Sequence, residues 1–295
     1  MTPLLIVLAA LLALAVVSLW LPPLPAIASP RRIPAWAVGL GAALAVAVAA
    51  RAVTATGLAV VLLLVALCAA YQRSASVWLR VLLFAAIFIV ALAMALHKAP
   101  GFHNPLLVTD IRTSALAAPV TQYLNIDKAT AGIILLAFFG APARTRAEWC
   151  AALRMWPVMV VTPVAVLGCA LLAGVVVWDL KLPAHTPLFL LSNLLVTCMA
   201  EEAFFRGFIQ GRLLEGLRGK RHGVVLAIGV TSVLFGIAHL GGGVPMIVLA
   251  TMAGVGYGIA AWRSGRIEAA ILTHFTVNAL RFVLVTGPVL VRTTA

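Results

Sequence analysis

The sequence predicts an all-α fold, a polytopic transmembrane helix bundle of about ten helices with its chemistry in the C-terminal half. Three observations lead there. Of 295 residues, 64% are hydrophobic and only 10% charged, where a soluble domain carries roughly 25% charged residues. Apolar runs of spanning length recur along the chain, and a helix needs about 20 apolar residues to cross a bilayer. The adjacent carboxylates Glu201 and Glu202, together with Arg206, lie inside one of these runs.

The candidate helices are 3–21, 34–50, 52–71, 77–97, 128–141, 155–178, 187–210, 223–240, 244–262 and 269–290. "AIA" at 26–28 resembles a signal-peptide cleavage site, but the first run has no positive n-region, so a retained helix is expected. Residues 1–100 are rich in Ala, Leu and Val and hold no acidic residue. The fifth run is short and is expected to tilt or to extend into "NIDKA". Between runs four and five, residues 98–127 are rich in Pro, Asn and Gly and read as a folded loop or re-entrant segment on the outer side. This gives residues 1–127 as N-terminal helices and outer loop with no assigned function, and 128–295 as the core that carries the chemistry.

The net charge of +13 does not point to nucleic acid, because the basic residues are dispersed through short loops between apolar runs. Loops after the odd-numbered helices hold thirteen of them, from Arg31 to Arg266. The other side holds six: Arg51, Lys98, Arg112, Lys128, Lys181 and Arg292. The positive-inside rule puts the first set in the cytoplasm and the N-terminus outside. Multi-pass insertion in a bacterial-type plasma (inner) membrane is expected, with the lipid bilayer as partner. On this count Glu201 and His274 fall in the cytoplasmic half, and His239 lies about 24 Å from the cytoplasmic end of its helix. The cysteines Cys68, Cys150, Cys169 and Cys198 lack metal-site spacing and read as small hydrophobes.

Six of the eight acidic residues fall in loops or at helix ends; Glu201 and Glu202 do not. A charged acid near a helix centre costs about 2.5–3.5 kcal/mol on insertion scales, so a function is the default for the pair. In an α-helix, residues four apart share a face. Glu202 then pairs with Arg206, and Glu201 shares a face with Phe205. Glu201 lacks a local partner, and burial beside a second carboxylate favours its protonated form. A structural salt bridge is the bland alternative. His97, His103, His185 and His222 sit at helix ends or in loops and are expected to be solvated. His239 closes "SVLFGIAHL" four residues after Phe235, and His274 stands four before Asn278. Either histidine alone reads as an interhelical hydrogen bonder. Two imidazoles, an amide and a buried carboxylate on three helices point to an inward polar site. Gly254, Gly256 and Gly258 are expected to let helices approach closely; with no preceding strand they are not a dinucleotide fingerprint.

"EEAFFR" at 201–206, "FGIAH" at 235–239 and "HFTVN" at 274–278 resemble the three motifs of the CPBP intramembrane proteases, the family of the Ras-converting CAAX endopeptidase. The resemblance covers about residues 150–290. It implies a catalytic core in the C-terminal half and peptide-bond hydrolysis in a membrane cavity, on a membrane-anchored protein or peptide. It implies that Glu201 and His239 activate a water, that His274 and Asn278 polarise the scissile carbonyl and hold the oxyanion, and that Glu202, Arg206 and Phe235 support the site. A carboxylate can take the first proton and later return it, and preset donors are commonly worth about 3–4 kcal/mol each. No cofactor is expected. The alternative is zinc held by Glu201, His239 and His274 with water in the fourth position, although no HExxH motif is present. A different class of reading is a non-catalytic immunity or scaffold protein, or a proton-coupled transporter. The prenylated tail, leader peptide or sorting helix that would be cut is not encoded here.

Overall fold

The structure, a computed structural model, describes residues 2–26 and 29–287. Helix α1 (Pro3–Val17) leads through a 3-10 turn into a two-stranded sheet, β1 (Leu24–Ala26) and β2 (Ser29–Ile33). Then come α2 (Ala35–Ala49), α3 (Ala55–Arg73) and α4 (Val77–Ala95), a second small sheet of β3 (Leu106–Ile111) and β4 (Val120–Tyr123), and α5 (Ile126–Phe139). Helices α6 (Arg146–Leu153) and α7 (Trp156–Leu172) precede β5 (Val177–Trp178). One long helical run follows: α8 (Thr186–Ser192), a π segment Asn193–Cys198, α9 (Met199–Glu202), a π segment Ala203–Gln210 and α10 (Gly211–Gly216). The chain ends its described part with α11 (Gly223–Ile237), α12 (Gly243–Ser264), α13 (Ile267–Leu284) and β6 (Val285–Thr286).

All ten expected runs are helical, and the all-α polytopic bundle is confirmed. Among the described residues seven helical runs are long and apolar enough to cross a membrane, and α2 and α11 are shorter apolar helices. Large apolar side chains lie outward, among them Trp78, Val77 and Leu172, as lipid-facing positions require. Helix ends follow local chemistry. Thr2, Thr54 and Ser76 cap α1, α3 and α4 through their hydroxyls, and Thr145 with Glu148 forms a capping box on α6.

Two expected helices end early. The run expected to 178 stops at Leu172, where Gly174 takes φ +65°, and Val177–Trp178 becomes a strand. The run expected to 290 stops at Leu284, where Val285 is extended at φ −139°. The two extended pieces pair antiparallel, Val177 with Thr286 and Trp178 with Val285. Residues 288–290 of that expected run, and two residues of the "AIA" at 26–28, lie outside the described residues. The polar stretch 98–127 is a folded loop as expected, built on β3 and β4.

The chain divides into two compact units. The first is Met1–Leu107, Gln122–Arg144 and Leu195–Phe204; the second is Val108–Thr121, Thr145–Leu194 and Phe205–Ala295. In the first, α5 is buried along most of its length. Its Gly132 lies against Ala200, where an added Cβ would come 2.6 Å from the Ala200 Cα. In the second, α12 packs on α11, α7 and α13. The three glycines act there as expected. A Cβ on Gly256 would strike Thr162, one on Gly254 would crowd Ser232 and Arg206, and one on Gly258 would crowd Gln210 and Ile228. All four cysteines are free; Cys68 and Cys198 are buried, but Cys150 and Cys169 are exposed rather than packed inside.

Candidate functional site

The second unit holds a cavity of about 820 Å³ whose wall includes Phe235, His239, His274 and Asn278. Helices α11 and α13 supply these groups, and α12 closes the space with Leu249, Ala250 and Ala253. Most of the wall is apolar.

His239 sits just past α11. Its Nδ1 donates to the carbonyl of Phe235 at 2.8 Å. A carbonyl only accepts, so this bond assigns a proton to Nδ1. His274 is buried, stacks on Tyr257 with centroids 4.5 Å apart, and meets Phe235 edge-on at 5.5 Å. Phe235 also touches the His239 ring at 4.7 Å. One aromatic side chain thus sets both imidazoles. Asn278 donates from Nδ2 to Asn193 Oδ1 at 3.2 Å. This bond orients the amide group.

Arg206 is 4% exposed. It donates to the Gly254 carbonyl at 3.0 Å, and its guanidinium lies 4.8 Å from the Phe235 ring centre and 5.2 Å from that of Tyr257. Desolvated cation–π contacts reach about 2 kcal/mol. Arg206 therefore clamps the two rings that carry the histidines. One turn on, Gln210 repeats the pattern by donating to the Gly258 carbonyl at 3.0 Å.

In the first unit, Glu201 and Glu202 lie on α9, between the π segments. Glu202 is fully buried. Glu201 forms an ion pair with Lys128, Oε1 to Nζ 2.6 Å. This corrects one expectation: Glu201 has a cationic partner, supplied from α5 rather than from its own helix. From Ala203 the helix is π, with i→i+5 bonding.

His97 is exposed, as expected, and also has a partner. Its Nδ1 lies 3.0 Å from both carboxylate oxygens of Asp127, which is 1% exposed. Nothing in the sequence marked Asn193, Lys128 or Tyr257 as partners of the motif residues. Arg281, in α13, lines the cavity and donates to the Gly287 carbonyl. Between α7 and α8, Lys181 donates to the Val285 carbonyl at 2.6 Å and to Thr286 Oγ1 at 2.7 Å. Hydrogen bonds from the Ser114 and Thr286 hydroxyls, with Lys181 beside them, hold the Asp179 carboxyl below its usual range. Burial lowers Lys181, against the opposing pull of Asp179. Among the described residues no group of three or more His, Cys, Asp or Glu has an arrangement that could hold a metal ion.

The fold and cavity define a polytopic helical membrane protein with imidazole and amide groups on the wall of an apolar chamber. Residues 183–280 match the family described as Type II CAAX prenyl endopeptidase Rce1-like. The match spans about a third of the chain, includes all three motifs, and supports a CPBP/CAAX protease assignment. No curated protein and no solved structure matches.

Proposed function

We propose that this protein is an intramembrane endopeptidase that hydrolyses a peptide bond of a membrane-anchored protein or peptide, with residues 128–295 as its catalytic core. What carries the reading is the second unit's cavity, with His239, His274 and Asn278 on one apolar wall, inside a segment that matches a peptidase family.

In this reading Glu201 and His239 activate a water, and the Glu201 carboxylate takes its proton. The water oxygen attacks the scissile carbonyl. His274 and the Asn278 amide donate to the oxygen that becomes negative. The collected proton passes to the leaving amine, so no proton is lost or gained overall. The glutamic-type route uses only these side chains. The zinc alternative with Glu201, His239 and His274 is the lesser reading. A plasma-membrane site of action and a substrate with a prenylated CAAX tail remain proposals of the same rank, the second resting on the name of the matched family.

The experiment is a comparison of protein termini in cells carrying wild-type protein or Glu201→Gln. The expected result is a set of new termini in membrane-anchored proteins that vanishes in the variant while the variant still inserts. An unchanged set of termini overturns the proposal. Metal analysis of the purified full-length protein separates the two routes: stoichiometric zinc, with cleavage lost on chelation and restored by zinc, overturns the metal-free one.

A further inference from the structure

Lys128 stands outside the family-matched segment and outside all three motifs, yet its ammonium lies 2.6 Å from Glu201 Oε1. Both side chains are largely sequestered, 15% and 17% exposed. A lysine is a flexible point charge on a long stem, so a single short contact of this kind depends on where its backbone is held.

That backbone is held by a clasp from the preceding loop. Asn104 Oδ1 accepts from the Ile126 amide at 2.8 Å. The buried Asp127 carboxylate accepts from Asn104 Nδ2 at 2.9 Å and from the Lys128 amide at 2.8 Å, and the His97 ring lies against it. These bonds satisfy first-turn amides that a helix cannot pair internally. One turn later, Gly132 lets α5 lie against Ala200, the residue before Glu201. Lys128 is thereby presented to Glu201 from a helix end fixed on both sides.

We propose that Lys128 is a positioning residue of the peptidase site. It anchors Oε1 of Glu201 and so fixes the orientation of the carboxylate. The 97–127 loop, through its clasp on α5, serves the same end. This inference rests on the reading of Glu201 as the base.

The test uses full-length variants in isolated membranes, at matched protein levels, and reads the initial rate at which Glu201-dependent termini appear in the native membrane proteins. Lys128→Met is expected to slow that rate about 10–100-fold, the scale of a lost hydrogen bond to a charged group. Lys128→Arg, which keeps the charge, is expected to stay within about threefold of wild type. A merely structural gap would not be repaired by the larger arginine. If Lys128→Met does not accumulate, Lys128→Gln takes its place under the same criteria. A Lys128→Met rate within twofold of wild type, with Glu201→Gln inactive, overturns this inference and leaves the peptidase reading standing. Equal loss in Lys128→Met and Lys128→Arg also overturns it. Full activity in Glu201→Gln brings down both.

Discussion

Arg206 shows how a single buried side chain orders the wall of the cavity. Its guanidinium joins the Gly254 carbonyl to the faces of Phe235 and Tyr257, and those rings contact both histidines. Arg206→Met is expected to destabilise the protein by about 1–3 kcal/mol, the scale of a buried acceptor losing its donor, measured by thermal unfolding in detergent. Arg206→Lys is expected not to restore stability, because an ammonium lacks the planar face that stacks on aromatic rings. Asn193 acts on Asn278 in the same indirect way. Asn278→Ala is expected to cut cleavage about 10²–10³-fold, as for one lost oxyanion donor. Asn193→Ala, which removes this partner of the amide, is expected to cost less than that, measured as rates of terminus formation. At this scale the sequence showed every motif residue, because a charge or imidazole in an apolar run stands out. It could not show Asn193, Lys128 or Tyr257. A polar residue at a helix end and a tyrosine among apolar residues are ordinary until their partners are known.

The two π segments that flank Met199–Glu202 shift which side chains share a face. Each replaces i→i+4 bonding with i→i+5, and the apolar pattern survives the change, so nothing in the sequence announced it. The early ends of α7 and α13 were hidden for a related reason: the hydrophobic run continues past them, as "VVVW" after Gly174 and "VT" after Leu284. Extended strands and helices both accept such residues. The glycines of α12 were legible, because small residues at close spacing serve helix approach whatever the partner. Gly256→Leu is expected to lower stability by about 1–3 kcal/mol through overpacking against Thr162, read again as thermal unfolding. Gly41→Leu, where an added Cβ meets nothing within 4 Å, is the matched control and is expected to change little.

Across the whole molecule, composition was enough to establish a multi-pass helical bundle, and three short motifs were enough to suggest a peptidase. The partners of those motifs come from far along the chain, as Lys128 does, and one sequence carries no record of such pairings. The clasp of Asp179, Lys181 and Thr286 ties a loop to the end of α13 and gives a pH dependence. Because the folded Asp179 carboxyl lies below its ordinary value of 3.8, the unfolded chain binds the extra proton first. Its stabilisation is full above that value and is lost as pH falls through the folded one. Asp179→Asn is expected to flatten the acid limb of the stability profile below about pH 4 and leave the neutral region's slope unchanged, measured by unfolding across pH. The central claim is that Glu201, His239 and Asn278 serve one hydrolytic reaction. Its most direct test is to map protein termini in cells carrying wild type, Glu201→Gln, His239→Ala or Asn278→Ala at equal membrane abundance. The account predicts that all three variants lose one and the same set of termini. Termini that persist in any of the three at the wild-type rate would contradict it.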